Sequence, residues 1–225
     1  VQDNLDRLYP DPARRLFLDN GDLLKDLRAH FIFTAPVALV MSPANIGRVF
    51  EHQFTMPMVK TQRPDGKPFK PGLDALTALI ARRVDRGRVF ASNDVVRSLL
   101  RMSGGSVRDL MRLLDQSQLS ARVDDKDRID PVSAREAVRK LRIEYERLLV
   151  PGPVYFPLLA EVHRTKQLPA PEAKADQQAV QAARAFCADL LTMGVVFEYN
   201  GERSWFDVHP IVREIRLFKD ALGAH

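Results

Sequence analysis

A chain of 225 residues that is 45% hydrophobic and 28% charged has an ordinary globular composition, which excludes a disordered or fibrous protein. Its longest apolar run, residues 31–41, is interrupted by Thr34 and Pro36 and falls far short of the roughly 20 residues a membrane span needs. A single cysteine, Cys187, excludes an internal disulfide framework and a multi-cysteine zinc site and fits a reducing cytoplasm, which leaves the formal charge of +5 as the feature that could mark a nucleic-acid partner.

The chain opens on VQDNLDRLYP, a cluster of charged side chains around two leucines with no initiator methionine, as expected of a piece cut from a longer protein. A helix is predicted over 12–28, where Leu16, Leu23, Leu24 and Leu27 recur at helical spacing. The run FIFTAPVALVM that follows reads as a strand buried on both faces, ending near Thr34, then a turn at Pro36 and a second apolar element. FTMPMVKT is a second strand candidate, and QRPDGKPFKPG is a polar connector rich in turn residues. These parts form a first region, residues 1–71, read as part of an α/β core.

Residues 72–150 read as a helical bundle. Leu73, Leu76, Leu79, Ile80 and Val84 share one helix face, and Val95, Val96, Leu99 and Leu100 share the next, behind a cap at Ser92 or Asn93. MSGGS breaks the chain. A third helix over 106–122 carries Val107, Leu110, Leu113, Leu114 and Leu119, and a fourth starts with Asp130 as cap and Pro131 in the first helical position.

The third region, 151–225, starts at the rigid PGP of 151–153. Amphipathic helices are predicted over 155–167 and 176–193, joined by LPAPEAKA and closed by Gly194. VVFEY and RSWFDVHP around Asn200-Gly201 read as a β-hairpin, and a last helix spans 210–222. Helices followed by a β-hairpin form the pattern of a winged-helix module, so the expected architecture is mainly α with a partial α/β core. From residue 151 onward eight Lys and Arg face nine Asp and Glu, so the positive excess lies on the first 150 residues, away from the module that most resembles a DNA-binding fold.

Asp3 is placed as an aspartate at the tip of a buried strand would be, where a nucleotide-dependent enzyme holds Mg2+ through oxygen ligands. The alternative is an exposed acidic turn before a helix. Thr34 is either a polar residue at the tip of the next strand or an ordinary strand residue. Arg82 and Arg83, at the end of the first bundle helix, are either a solvated basic helix end or an arginine finger offered to a neighbouring subunit. Arg108 stands in the first turn of its helix, where the helix dipole mildly disfavours a cation.

VQDNLDR, HFIFTAP and SGGSVRDLMRLL, followed by IDPVSAREAV, occur in the order of a known family. Over residues 1–150 the chain resembles the C-terminal half of an AAA+ type P-loop ATPase, nearest the STAND and KAP-like branches and the origin-recognition initiators, with a winged helix appended. The resemblance implies that Asp3 is the Walker B aspartate and binds Mg2+, that Thr34 is the sensor 1 residue, and that Arg108 is the sensor 2 arginine directed at the ATP γ-phosphate. Two departures matter. No G-x-x-x-x-G-K-[ST] loop is present, so ATP hydrolysis is expected of a longer protein and not of this chain unaided. Asn4 follows Asp3 where many relatives carry a water-orienting glutamate, and an amide cannot accept a proton as a carboxylate can. Asp6, which resembles the second acid of a D-x-x-D-R pattern, is the candidate to take over. The implied function is a nucleotide-gated switch that uses ATP and Mg2+ and whose partners are the missing N-terminal ATPase segment and further copies of itself or an effector. The alternative is an initiator or transposition-helper ATPase that binds DNA through the winged helix.

Other constellations carry less. His30, His52, His163, His209 and His225 lack the spacing of a metal helix, and His209 beside Pro210 reads as a hydrogen-bonded structural residue. Cys187 reads as core. Tyr199 and Trp205 could stack on a base, but with Glu198, Glu202, Asp207 and Glu214 around them they read better as packing residues.

Overall fold

The computed structural model describes residues 1–8, 10–37, 39, 46–149, 155–170 and 176–223. Among these the protein is mainly helical, with one two-stranded antiparallel sheet. It divides into two compact units: residues 1–56 with 168–194, and residues 57–167 with 195–223. The element predicted after Pro36 and the segments PGP and LPAPEAKA fall wholly or partly outside the described residues.

In the first unit the helix predicted over 12–28 is broken. It comprises α1 (Pro10–Arg14), a π-helical turn (Arg15–Asp19) and α2 (Gly21–Lys25). The cause is local: the backbone N–H and the side-chain amide of Asn20 both donate to the Arg15 carbonyl, and a Cβ on Gly21 would lie 2.3 Å from Val49 Cγ1. The apolar stripe is rotated accordingly. Ala13 and Phe17 are buried, Leu16 and Leu24 line the edge of the core, and Leu23 and Leu27 face solvent. Edge-to-face contacts of 6.2 Å join Phe17, Phe33 and Phe50 into the centre of this core. Residues 31–34 do not form a strand buried on both faces. Phe33 makes a single parallel bridge to Gln2, while Phe31 and Ile32 are exposed. The C-terminal part of the unit is α9 (Gln177–Thr192), capped by Asp176 Oδ1 accepting from Ala179 N–H at 2.7 Å; Gly194 follows at φ +68°.

In the second unit the bundle is α3 (Lys70–Ala81), α4 (Arg86–Val89), α5 (Asn93–Met102), α6 (Val107–Val123) and α7 (Pro131–Leu149). Three helices start on side-chain caps: Asp85 accepts from Gly87 N–H, Ser106 from Asp109 N–H, and Asp130 from Ser133 N–H and Oγ. These bonds hold the Asp130 carboxyl down at about 2. Ser92 occupies the cap position of α5 but its side chain makes no capping bond. Leu76, Ile80, Val95, Val96, Leu99, Leu100, Leu110 and Leu113 form the core, whereas Val84, Val107 and Leu119, assigned to it by spacing, are exposed by a third or more. Helix α8 (Tyr155–Thr165), strands β1 (Val196–Tyr199) and β2 (Trp205–Val208), and α10 (Arg216–Gly223) complete the unit. The hairpin pairs Val196 with Val208 and Tyr199 with Trp205, so its loop is the five residues 200–204 and not a two-residue Asn-Gly turn. Neither Asn200 nor Gly201 has the positive φ that such a turn demands. The last helix starts at Arg216, after a 3₁₀ turn at Val212–Glu214.

FTMPMVKT is not a strand of a sheet. Phe54 and Met56 are more than 90% exposed, and residues 57–61 run as a strap across the bundle. Met58 N–H donates to Glu198 O on β1. Two glycines receive the strap: a Cβ on Gly72 would lie 1.8 Å from Lys60 O, and one on Gly105 would lie 1.8 Å from Val59 O. Gly105 is also held at φ +91°, where side chains are strained. Gly105→Ala is therefore expected to lower stability by about 3 kcal/mol or more. Gly66→Ala, at φ +79° but in open space, is expected to cost only about 1 kcal/mol. Urea denaturation of both variants measures the difference, and equal effects would mean that the strap yields to the added methyl group.

Candidate functional site

The residues predicted to carry chemistry fall into both units. In the first, Gln2 N–H donates to Ile32 O at 2.7 Å and Thr34 N–H donates to Gln2 O at 3.1 Å, so the segments ending at Asp3 and Thr34 run side by side in the same direction. The Thr34 hydroxyl accepts from Leu5 N–H at 3.1 Å. This bond spans 29 residues and brings the half-buried Thr34 against the turn that carries Asp3. One Asp3 carboxylate oxygen accepts from Asn4 N–H at 2.8 Å. Asn4 itself lies at φ +67°, ψ +6°, in the left-handed region that asparagine tolerates better than most side chains. Asp6 follows in a one-turn 3₁₀ helix, Leu5–Arg7, and is half-buried. Among the described residues no group of three His, Cys, Asp or Glu side chains is gathered as a metal site. Asp3 is an exposed carboxylate.

The three arginines lie in the second unit. Arg82 is exposed at the C-terminal cap of α3. Arg83 is exposed too, and its guanidinium donates to Leu79 O at 3.2 Å, which gives it a local role in satisfying the helix end. Arg108 is exposed in the first turn of α6 and has no ion pair or hydrogen-bond partner among the described residues. The geometry therefore brings Asp3 and Thr34 together within one unit, with Arg82, Arg83 and Arg108 on the other.

Sequence reasoning missed the two most heavily engaged carboxylates, both buried. Asp207 on β2 is fully buried and gathers groups from three directions: Gln62 Nε2 at 2.7 Å, His163 Nδ1 at 2.6 Å, Lys166 Nζ at 2.9 Å, and Arg213 at 3.8 Å. A carboxylate only accepts, so the short contact places a proton on His163 Nδ1. Burial pushes the Asp207 carboxyl up, but the bonds from His163 and Lys166 and the charge of Arg213 outweigh it and hold it below the usual range. Asp109 on α6 is the second. Burial raises its carboxyl, and bonds from His209, Ser106 and Tyr145 bring it below its ordinary value. His209 is fully buried; its Nδ1 accepts from Ile211 N–H at 3.0 Å, so Nε2–H donates to Asp109 at 3.3 Å. That is a neutral imidazole, whose pKa burial lowers. His209 is thus the hydrogen-bonded structural residue its sequence suggests. Asp109 also binds Arg112, which in turn pairs with Glu144 on α7. The advance signal was the DVHP run, which places an acid in β2 and a histidine just after it among apolar neighbours.

Tyr199 and Trp205 stack at 4.5 Å and are buried, and the Tyr199 hydroxyl donates to Gly104 O at 2.6 Å. They are core residues with no face turned to a base. Cys187 is buried, its thiol pushed up by desolvation, and it donates weakly to Pro169 O at 3.5 Å.

The linkage runs in one direction for all three titrating groups. Asp207 and Asp109 have folded values below their unfolded ones, so the stability they add is present above about pH 4 and is lost as pH falls through their folded values. His209, neutral when folded, adds a loss that begins below about pH 6.5. Asp207→Asn is expected to cost about 2–4 kcal/mol at pH 7, because Lys166 and Arg213 lose their counter-charge. Urea titrations at pH 7 and pH 3 should show the gap between wild type and variant narrowing at the lower pH. A gap independent of pH would mean that shape and not charge is at stake.

Among the described residues no helix is long and apolar enough to cross a membrane. No family model, curated protein or solved structure matches the chain.

Proposed function

We propose that the chain is the C-terminal portion of an ATP-binding regulatory ATPase of the AAA+ and STAND type, a nucleotide-gated switch that controls assembly or an attached effector. The observation that carries this reading is the parallel pairing of Gln2 with Phe33, tied off by the Thr34 hydroxyl on Leu5 N–H. The Walker B and sensor 1 segments that the resemblance implies would run in parallel with an acid and a polar residue at their ends, one to hold the metal and the other to sense the phosphate; the single bridge here sets two segments in that order. On this reading α3–α7 are the lid, and α8 and the hairpin belong to the winged-helix module; α9, which the module was expected to include, falls in the other compact unit.

Asp3 would hold Mg2+, which spreads and neutralises phosphate charge, and Thr34 would fix the turn after Asp3 while its own proton donates towards the nucleotide. Arg108, exposed and without a partner among the described residues, would supply a guanidinium to the γ-phosphate. Asn4 sets the limit of the activity. A left-handed backbone suits asparagine and strains a glutamate by about 1 kcal/mol, and an amide cannot serve as base, so the arrangement favours binding and gating over rapid turnover.

Binding of a fluorescent ATP analogue with Mg2+ to the chain tests this. Arg108→Ala and Asp3→Asn are each expected to weaken binding about tenfold, and the Asp3→Asn effect should vanish when the metal is chelated. Arg101→Ala, another exposed lid arginine, should change nothing. Equal affinity in all variants would sink the assignment.

A further inference from the structure

The Asp207 network holds more positive charge than its carboxylate can use. Asp207 Oδ1 accepts from His163 Nδ1–H at 2.6 Å and Val208 N–H at 2.8 Å, and Oδ2 accepts from Gln62 Nε2 at 2.7 Å and Lys166 Nζ at 2.9 Å. These donors fill the roughly four lone-pair positions of a carboxylate. Arg213 Nη1 approaches Oδ2 to 3.8 Å, beyond hydrogen-bond range, and its guanidinium makes no hydrogen bond among the described residues. The Arg213 side chain is nevertheless 22% exposed and that of Lys166 18%. Among the described residues Asp207 is the one carboxylate within ion-pair reach of either cation. Glu214, beside Arg213, is taken by Lys219 at 2.7 Å, and Glu198 pairs with Phe206, which puts it on the hairpin face opposite Asp207. Two permanent cations thus share one buried counter-charge, and one unit of positive charge is left over where the cluster meets solvent.

We infer that Arg213 and Lys166 form a binding site for the carboxylate group of a ligand. Both cations are fixed in place although they repel each other. Arg213 sits in the 3₁₀ turn between Ile211, Val212 and Ile215, which are buried, and its own N–H donates to His209 O at 3.2 Å. Lys166 is held at φ +60°, a left-handed conformation unfavourable for lysine, with its carbonyl accepting from Phe206 N–H at 2.9 Å. They approach the same oxygen, Asp207 Oδ2, and so stand side by side. The leftover charge matches a monoanion one for one, whereas a dianionic phosphate would bring its second charge up against Asp207. The unspent guanidinium edge offers the two parallel bonds that a planar carboxylate accepts, and partial burial strengthens them over bonds on an open surface. Lys166 keeps its bond to Asp207 and adds the neighbouring charge. The inference rests on the second unit alone and does not need the nucleotide reading.

The probe is sodium acetate, titrated into the isotope-labelled chain at neutral pH and constant ionic strength with sodium chloride as the balance. The Nε–H signal of Arg213 and the backbone amides of Val212, Arg213 and Glu214 are expected to shift and to saturate with acetate but not with chloride. Arg213→Gln should weaken binding about tenfold or more. Arg213→Lys, which keeps the charge beside Asp207 and loses the fork, should weaken it by less, and it reports on the site if Arg213→Gln fails to fold. Lys219→Gln, an exposed cation already paired with Glu214, should change nothing. An acetylated triglycine with a free terminal carboxylate and its amide twin distinguish the two sources of the group: binding of the acid form tighter than acetate points to a peptide chain end, and binding no tighter than acetate to a small acid. Shifts that do not saturate, an equal response to chloride, tighter binding of inorganic phosphate than of acetate, an amide that binds as well as the acid, or a folded Arg213→Lys variant that binds like wild type each overturn the inference.

Discussion

The second unit depends on a close approach of backbones at Gly104-Gly105. Both glycines have positive φ, and each receives a different neighbour on the face a side chain would occupy: the Phe197 ring and Pro210 at Gly104, and the Val59 carbonyl at Gly105. The Gly104 carbonyl, turned inward by that conformation, accepts the Tyr199 hydroxyl. The break between α5 and α6 is therefore also the place where the strap and the hairpin are held on the bundle. A glycine pair in a loop is ordinarily explained by turn geometry alone; here the absence of Cβ atoms is equally a packing requirement.

Two buried carboxylates then fix what the glycines allow. Asp207 ties β2 to the strap through Gln62, to α8 through His163 and to the residue after it through Lys166. Asp109 ties α6 to α7 through Tyr145 and to the end of β2 through His209. Apolar contact alone tolerates small slips of one element over another, whereas a buried carboxylate with a set of donors tolerates few, because any donor lost leaves charge in a low-dielectric interior. Their hydrogen bonds therefore act more on the uniqueness of the arrangement than on its total free energy. Asp109 stands directly after Arg108 on α6. The same helix turn that buries one side chain in this network thereby turns the other to solvent.

The sequence was most legible where local chemistry decides the outcome. Helices α5, α6 and α7, the cap at Asp130 and the two strands of the hairpin could be read from periodicity and capping residues, because each is set within a turn or two of chain. It misled where side-chain hydrogen bonds or distant parts of the chain override periodicity. The helix predicted over 12–28 has the right stripe for Leu16 and Leu24, but Val49 against Gly21 and the Asn20 bonds to Arg15 rewind it into a π turn. FTMPMVKT has strand composition, and it became a strap because two glycines 13 and 46 residues beyond Val59 provide its bed. The Asp207 and Asp109 networks could not be read at all, since their members are separated by as many as 145 and 100 residues and no spacing rule links them. Of the candidate site, motif order singled out Asp3 and Thr34, whose segments the Gln2–Phe33 bridge sets side by side, but it gave no sign of the left-handed backbone at Asn4.

That backbone bears on what an asparagine after the acid means. On the proposed ATPase reading, Asn4 stands where a base would be and cannot accept a proton. Read as conformation, it occupies a position at φ +67° from which the chain turns directly into a 3₁₀ helix, and its N–H is spent on Asp3. The two readings point the same way. A residue chosen for a left-handed turn keeps the Asp3 carboxylate oriented and the Leu5 N–H directed at Thr34, and both bonds would be loosened by a longer acidic side chain forced into the same conformation. On the reading proposed above, a site so built would give up a proton acceptor at position 4 for a fixed relation between the Asp3 turn and Thr34, which is the relation a sensor of bound nucleotide would need and a fast hydrolase could do without.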